Sequence, residues 1–352
     1  RELDDLHTLL QQAKEQCGIE GVTTGAVGSQ YQAARIQRIC FDLDLHCFNP
    51  LWQLDQVQLL QELLTHNFEV IFTGVFAYPL TEDWLGQTIT PKVIETLVDY
   101  DKKYCLNPAG EGGELESYVL DCPLFQKKII LGKTSTSFDN HAGTLTIHEA
   151  HLEEKEQQSI PLLPTLSKTE AADILIVSTV SPALRLHEEE FVKPLIAATK
   201  KTCRVVSLFA LPDDIPETHI IISGCALKDN AFLDHKPTAH TLLTLDKPIL
   251  GICAGAQLLL PEDHELDSRL TIGPTRVEEL HDHPLVDCML EKEPYFLHQF
   301  ALPAIPFSSP LDGLLASPTH IAAYKYKERN VYGLQFHPEV GFQTLIEQFT
   351  EL

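Results

Sequence analysis

Twice along this chain, stretches that read as buried strands alternate with stretches that read as helices, and that alternation restricts the fold to α/β layers. The first round opens with RELDDLHTLLQQAKEQ, where Leu3, Leu6, Leu9, Leu10 and Ala13 share one helical face opposite charged residues. GVTTGAV reads as a short buried strand, and YQAARIQRICFDLDL and LWQLDQVQLLQELLTH as two further helices. FEVIFTGVF is an unbroken β-branched and aromatic run of the kind a parallel strand shows. Thr90 followed by Pro91 marks a helix start, a hydroxyl N-cap and then a proline whose missing N–H costs nothing in the first turn. From 119 to about 150 the rhythm changes. LTIHEAHL alternates with period two behind Asn140 and Gly143, which predicts an antiparallel hairpin at the edge of the layer.

Residues 151–170 mix charge, Ser/Thr and prolines without periodicity and read as a linker. The alternation then restarts with strands at DILIVST, CRVVSLF and HIIISG, a helix at EEEFVKPLIAATKK, and the run HTLLTLDKPILGIC leading into a helix from Ala254. The expected organisation is two doubly wound α/β domains, residues 1–150 and 171–352, joined by that linker. At 352 residues the chain is long enough for both cores.

The second domain carries the sharpest motif. In KPILGICAGAQLLL a strand runs straight into a helix, a turn tight enough to admit only small neighbours such as Gly251, Ala254 and Gly255. A cysteine there stands at a helix N-terminus, where the dipole and free N–H groups favour the thiolate. The same N–H groups, that of Ala254 first, can hold the oxyanion of a tetrahedral intermediate. A base is available in YGLQFHPEV, where His337 follows a strand and Glu339 stands two residues on to orient it. Taken singly, each motif also fits a plainer role: a cysteine after PILGI as a buried small hydrophobe, and a histidine in FHPE as a structural group.

Together, 84 residues apart in one α/β unit, GICAGAQ and FHPE resemble the G-x-C-x-G-x-Q and F-H-P-E signatures of the class I glutamine amidotransferases, which have a flavodoxin-like fold. The resemblance implies that Cys253 attacks the side-chain amide of glutamine and His337, oriented by Glu339, protonates the departing ammonia. It also implies that Gln257, and backbone near His298, hold the bound glutamine. Family members carry Gly-Gly-Pro or Asn-Gly-Pro where this chain reads SGCALKD, so Cys225 stands where a glycine N–H completes the oxyanion hole.

The first domain resembles the C-terminal half of the diphthine-ammonia ligase family, ATP-pyrophosphatase enzymes that amidate diphthine on elongation factor 2. The shared series includes Gly25, Ser29, Tyr31, Gln32, Arg35, Pro50, Leu51, Trp52, Leu85, Gly86, Glu111, Gly112, Gly113, Glu114, Glu116, Asp121 and Pro123. GEGGE is a tight turn carrying two carboxylates, so Glu111 and Glu114 are candidate contacts for the quaternary ammonium of diphthine, with Tyr31 or Trp52 as aromatic partners and Arg35 beside them. The alternative is a bare turn with solvated acids. Gln30 and Ala33 depart from the acidic and basic residues of the family's SDYQR.

That family binds ATP, with Mg, through an S-G-G-x-D-S phosphate loop, and no such run occurs here. Together with a start at Arg1 rather than Met, this leads to the expectation that a nucleotide-binding half lies upstream or on a partner chain, and that this chain holds no cofactor or metal of its own. The pairing is chemically coherent, because an adenylating ligase needs ammonia and a glutaminase delivers it unprotonated. GMP synthetase joins the same two domain types. The sequence therefore points to a glutamine-dependent ligase forming diphthamide on elongation factor 2. Two alternatives remain: a free-standing glutaminase, of the γ-glutamyl hydrolase or GMP-synthetase type, and a non-catalytic scaffold.

Charge narrows the partners. Fifty acidic residues against 26 basic ones give −24, which repels phosphate backbones and anionic lipid, and no basic cluster looks like a groove binder. The nine cysteines form an odd set without a CxxC pair, as expected of a reducing cytoplasm rather than a disulfide framework or zinc site. No apolar run reaches the roughly 20 residues of a membrane helix.

Overall fold

The computed structural model describes residues 2–156, 172–289 and 292–352. The chain divides into two compact units, and the division does not follow sequence order. Described residues of 1–26, 30–53 and 167–352 form one unit; 27–29 and 54–166 form the other. The expected boundary near 150 therefore misplaces most of the first 53 residues, which pack with the segment expected to be a separate domain. Most of the expected linker, from 157 on, lies outside the described residues, and its start is a strand, Ala150–Glu154, paired with Lys127–Leu131.

The larger unit is built on an eight-stranded sheet. Five parallel strands come first, in the spatial order Cys203–Ser207, Ile174–Ser178, His219–Ile222, Ile249–Ile252 and Val331–Leu334. Three antiparallel strands follow, Ile321–Tyr326, Leu311–Ala316 and Glu278–Glu279. Ile174 to Ser178 and Ile249 to Ile252 are buried at every position, because helices or loops cover both faces of a parallel layer. Asp267–Pro274 and Tyr295–Ala301 form a separate antiparallel ribbon with Thr271 opposite His298.

The N-terminal residues are part of this unit's core. The helix Gln30–Asp42 lies against the strand Asp267–Pro274, and Ala26, Ala33 and Trp52 share an apolar cluster with Tyr295 and Leu297. The Trp52 and Tyr295 rings are 5.7 Å apart. Two polar ties accompany them. Glu190, 2% exposed, accepts hydrogen bonds from the Asn49 N–H at 2.8 Å and its side-chain amide at 2.9 Å, and Lys228 reaches Asp44 at 2.6 Å. A carboxylate buried this deeply must be paired, and Asn49 and His187 pair it.

The smaller unit is α/β, but its four-stranded sheet, ordered Leu115–Asp121, Glu69–Val75, Ala142–Ile147, Thr134–Asp139, is antiparallel throughout rather than doubly wound. Glu69–Val75 reads as a parallel strand because five of its seven residues are buried, and burial on both faces does not report the direction of a neighbour. The expected edge hairpin is present, turning through Asn140 and His141, both at positive φ. The helix Pro91–Tyr104 is capped by Thr90, whose side chain accepts from the Val93 N–H.

Candidate active site

Cys253 ends the central strand of the larger unit and begins the helix Ala254–Leu258. Its backbone sits at φ 49°, ψ −104°, a strained conformation for any residue with a Cβ. The surroundings hold it there. The Cys253 N–H donates to the Leu334 carbonyl at 2.7 Å, tying the turn to the neighbouring strand. A Cβ on Gly251 would stand 2.6 Å from the Gly255 backbone, and one on Gly255 would stand 2.3 Å from the Ile222 carbonyl oxygen. Both glycines are therefore imposed by backbone approaching backbone, which is what the small residues of GICAG predict.

His337 follows the adjacent strand Val331–Leu334. Its Nδ1 is 2.7 Å from Glu339 Oε1, and both side chains are almost fully buried. Burial works against the charged imidazole, but the charge of Glu339, its hydrogen bond to Nδ1 and the nearness of Cys253 outweigh it and raise the His337 pKa to about 10. Nε2 has no protein partner within hydrogen-bond geometry. The Cys253 thiol donates instead to the Leu297 carbonyl at 3.3 Å, with the Gln335 amide at 3.9 Å.

The turn Ser223 to Cys225 closes the site. A Cβ on Gly224 would stand 2.6 Å from His337 Cε1, so only glycine fits between the turn and the imidazole. The Gly255 N–H is used by the Ser223 carbonyl at 3.2 Å, which leaves those of Ala254 and Cys225 without a hydrogen-bond acceptor among the described residues. Cys225 is not at positive φ, so its Cβ is accommodated without left-handed backbone strain. Its thiol turns away to the Asp229 carbonyl at 3.2 Å, and burial pushes its pKa well up, marking it as inert.

A cleft lined by Cys225, Cys253, Ala254, Gln257, His298 and Gln299 opens beside the thiol, with ≈ 20 Å³ of free space. Gln257 is held by its amide on the Phe300 carbonyl at 2.6 Å. His298 is buried with neither ring nitrogen bonded, and burial, then His320 and His337, lower its pKa to about 3. Three features of the site were not legible in the sequence: the Leu297 carbonyl, Gly224 and Gln335. Gln335 had a signal, since it stands two residues before His337.

The remaining candidates are elsewhere. Tyr31 and Arg35 lie one helical turn apart in the larger unit, the guanidinium 3.6 Å above the ring. Glu111 and Glu114 lie in the smaller unit and make internal bonds. Glu111 accepts from the Gly28 and Ser29 N–H groups at 3.1 Å. Glu114 Oε1 accepts from the Asn107 amide at 2.8 Å, and its Oε2 has no partner. Gly113, at φ 84°, makes the turn, and Gly112 packs against Glu114 and Asn107. Among the described residues no cluster of His, Cys, Asp or Glu could hold a metal ion, all nine cysteines are free, and no helix is long and apolar enough to cross a membrane.

A strained cysteine at a strand-to-helix turn, close to a histidine paired to a carboxylate, is an arrangement able to activate a thiol. Residues 196–348 match the family described as glutamine amidotransferase class-I, and residues 55–152 match the diphthamide synthase C-terminal domain. The chain thus belongs to the class I glutamine amidotransferases and also carries a diphthamide synthase C-terminal domain.

Among curated relatives, the diphthine–ammonia ligase of Mus musculus is 40% identical over 160 residues, 44% of this chain and 60% of that protein. The imidazole glycerol phosphate synthase subunit HisH of Idiomarina loihiensis is 30% identical over 150 residues, 34% of this chain and 70% of that protein. A solved structure of a glutamine amidotransferase from Thermotoga maritima aligns with a TM-score of 0.37 at 17% identity, over 48% of this chain and 76% of that one. The chain spans about 60% of the length of the ligases it matches.

Proposed function

We propose that the larger unit hydrolyses glutamine and that the ammonia serves amide formation on diphthine of elongation factor 2, in the cytoplasm. The observation that carries the reading is the Cys253 turn with His337 and Glu339 behind it. The thiolate attacks the glutamine side-chain carbonyl; the oxyanion is received by the N–H groups of Ala254 and Cys225. His337, protonated at neutral pH because its pKa is raised to about 10, gives its Nε2 proton to the amide nitrogen as the C–N bond breaks. Water then attacks the thioester, releasing glutamate and restoring Cys253. Gln257 and the backbone at His298 hold the glutamine.

The diphthamide synthase domain supports an acceptor of that chemistry. Glu114, with one oxygen unpartnered, is our candidate for its quaternary ammonium; Glu111 serves the turn at Gly28 and Ser29. The complete ligase reaction also requires ATP and Mg. Glutamate release by the purified chain, lost in Cys253→Ala, tests the hydrolytic step; no release by the wild type rejects it. Transfer of glutamine nitrogen to diphthine in the full ligase assembly tests the second.

A further inference from the structure

The smaller unit holds several aromatic rings in solvent. Phe76 is 40% exposed, Tyr78 59% and Tyr104 44%, and His141 is exposed with them. Their arrangement is fixed. The Tyr78 ring stands 5.1 Å from that of Tyr104 at 83° and 5.3 Å from that of His141 at 88°, so each pair makes a right-angled corner. Tyr104 rests on Tyr100 at 6.0 Å, and Tyr100 on the buried Trp84 at 5.8 Å. His141 is set by the hairpin turn, where it and Asn140 take positive φ. Rings at right angles can present their faces to one volume of solvent from two sides, which is the geometry that a cation without N–H groups needs.

Two carboxylates adjoin this segment. The Phe76 N–H donates to the Glu114 carbonyl at 2.8 Å, which brings the GEGGE turn alongside residues 76–78. Glu114 Oε2 is buried without a hydrogen-bond partner, a costly state that a neighbouring cation relieves. Gly74 leaves a gap next to them. A Cβ there would stand 2.7 Å from the Phe76 ring and 2.9 Å from Glu116 Oε2, so an aromatic edge and a second carboxylate flank the space. The rings that the sequence offered for this chemistry are not free for it. Trp52 is buried against Tyr295 in the larger unit, and the Tyr31 face carries the Arg35 guanidinium at 3.6 Å.

We propose that Phe76, Tyr78, Tyr104 and His141 form an aromatic cage for a quaternary ammonium, with Glu114 and Glu116 as its counter-charges. This rests on the acceptor reading above and names the side chains that select the acceptor. A quaternary ammonium donates no hydrogen bond, so only ring faces and nearby negative charge distinguish it from a neutral group of the same shape. A primary ammonium keeps three donors and is strongly hydrated, so it loses more on leaving water for the rings. The cage therefore favours the fully methylated amine over both the unmethylated amine and an uncharged isostere.

Choline is the probe. Its controls are the alcohol in which a tert-butyl group replaces the trimethylammonium, and ethanolamine, its unmethylated counterpart. Proton NMR titration against the full chain reads binding and, through ring currents, an upfield shift of methyl groups lying over ring faces. Choline should bind at least about tenfold more tightly than either control, with its methyl signal moved upfield. Tyr78→Leu and Tyr104→Leu keep apolar bulk but remove the π face, and each should weaken choline about fivefold or more, while Tyr78→Phe stays within about twofold of wild type. Thermal melts check folding, and either Leu variant suffices if the other fails to fold. Equal binding of choline and its tert-butyl isostere, or choline binding unchanged in a folded Leu variant, overturns the cage. Selective binding without transfer of glutamine nitrogen to diphthine in the full ligase assembly supports the cage and refutes the acceptor reading. Transfer without selective binding refutes the cage alone.

Discussion

Replacing Glu339 by Gln keeps the shape and one acceptor but removes the charge 2.7 Å from His337 Nδ1. Two unit charges about 4 Å apart interact by about 4 kcal/mol at an effective dielectric constant of about 20, equivalent to about 3 pKa units. The His337 pKa stands at about 10 although burial opposes it, so without the carboxylate it should fall to neutrality or below. A raised pKa keeps the imidazolium present below its value and lost only as pH rises through it. Wild-type hydrolysis should therefore persist well into the alkaline range, and Glu339→Gln should lose it near neutrality. At pH 8 the imidazolium that serves as proton donor is depleted about tenfold, so kcat should fall by about tenfold with KM little changed. Glutamate release from pH 6 to 10, with a thermal melt as a folding control, reads both. A kcat within threefold of wild type, or an alkaline limb that does not move, would refute the assignment of Glu339.

Other consequences are more local. Gly224→Ala places a methyl 2.6 Å from the His337 ring and should cut kcat at least a hundredfold with a small change in Tm, whereas Gly255→Ala meets the Ile222 backbone and should cost about 3 kcal/mol of stability in denaturant titration. Cys225→Ala retains the N–H and should hydrolyse glutamine normally; Cys225→Pro lacks it and should lose about 10²-fold, and equal rates for the two would remove Cys225 from the oxyanion hole. His298, with its pKa lowered to about 3 by burial, keeps its full contribution above the ordinary histidine range and loses it as pH falls from there toward 3. At pH 5 that loss is about 2 kcal/mol, so unfolding curves for His298→Phe should change by that much less between pH 7 and pH 5 than wild-type curves.

The residues of the nucleophile turn were legible because sterics leave them few choices. Gly251 and Gly255 touch backbone, and Cys253 is fixed by its place between strand and helix. His337 and Glu339 were legible for the same reason, two positions apart after one strand. The placement of residues 1–53 was not legible. Their helices and short strand follow from periodicity, but what ties them to the larger unit is Asn49 on Glu190 and Trp52 on Tyr295, contacts across 141 or more residues that leave no local pattern. The antiparallel sheet of the smaller unit was hidden because burial in Glu69–Val75 records cover and not direction. The GEGGE turn was visible, but its carboxylates' partners at Gly28, Ser29 and Asn107 were not.

The central claim is that Cys253, alone among nine cysteines, forms a covalent bond to the glutamyl group. Acid-quenching the chain during turnover with glutamine and mapping the peptides by mass spectrometry tests this directly. The account predicts a γ-glutamyl thioester on Cys253, longer-lived when the His337–Glu339 pair is weakened and missing from Cys253→Ala. Glutamate release without any adduct there, or an adduct on Cys225 or another cysteine, would contradict it.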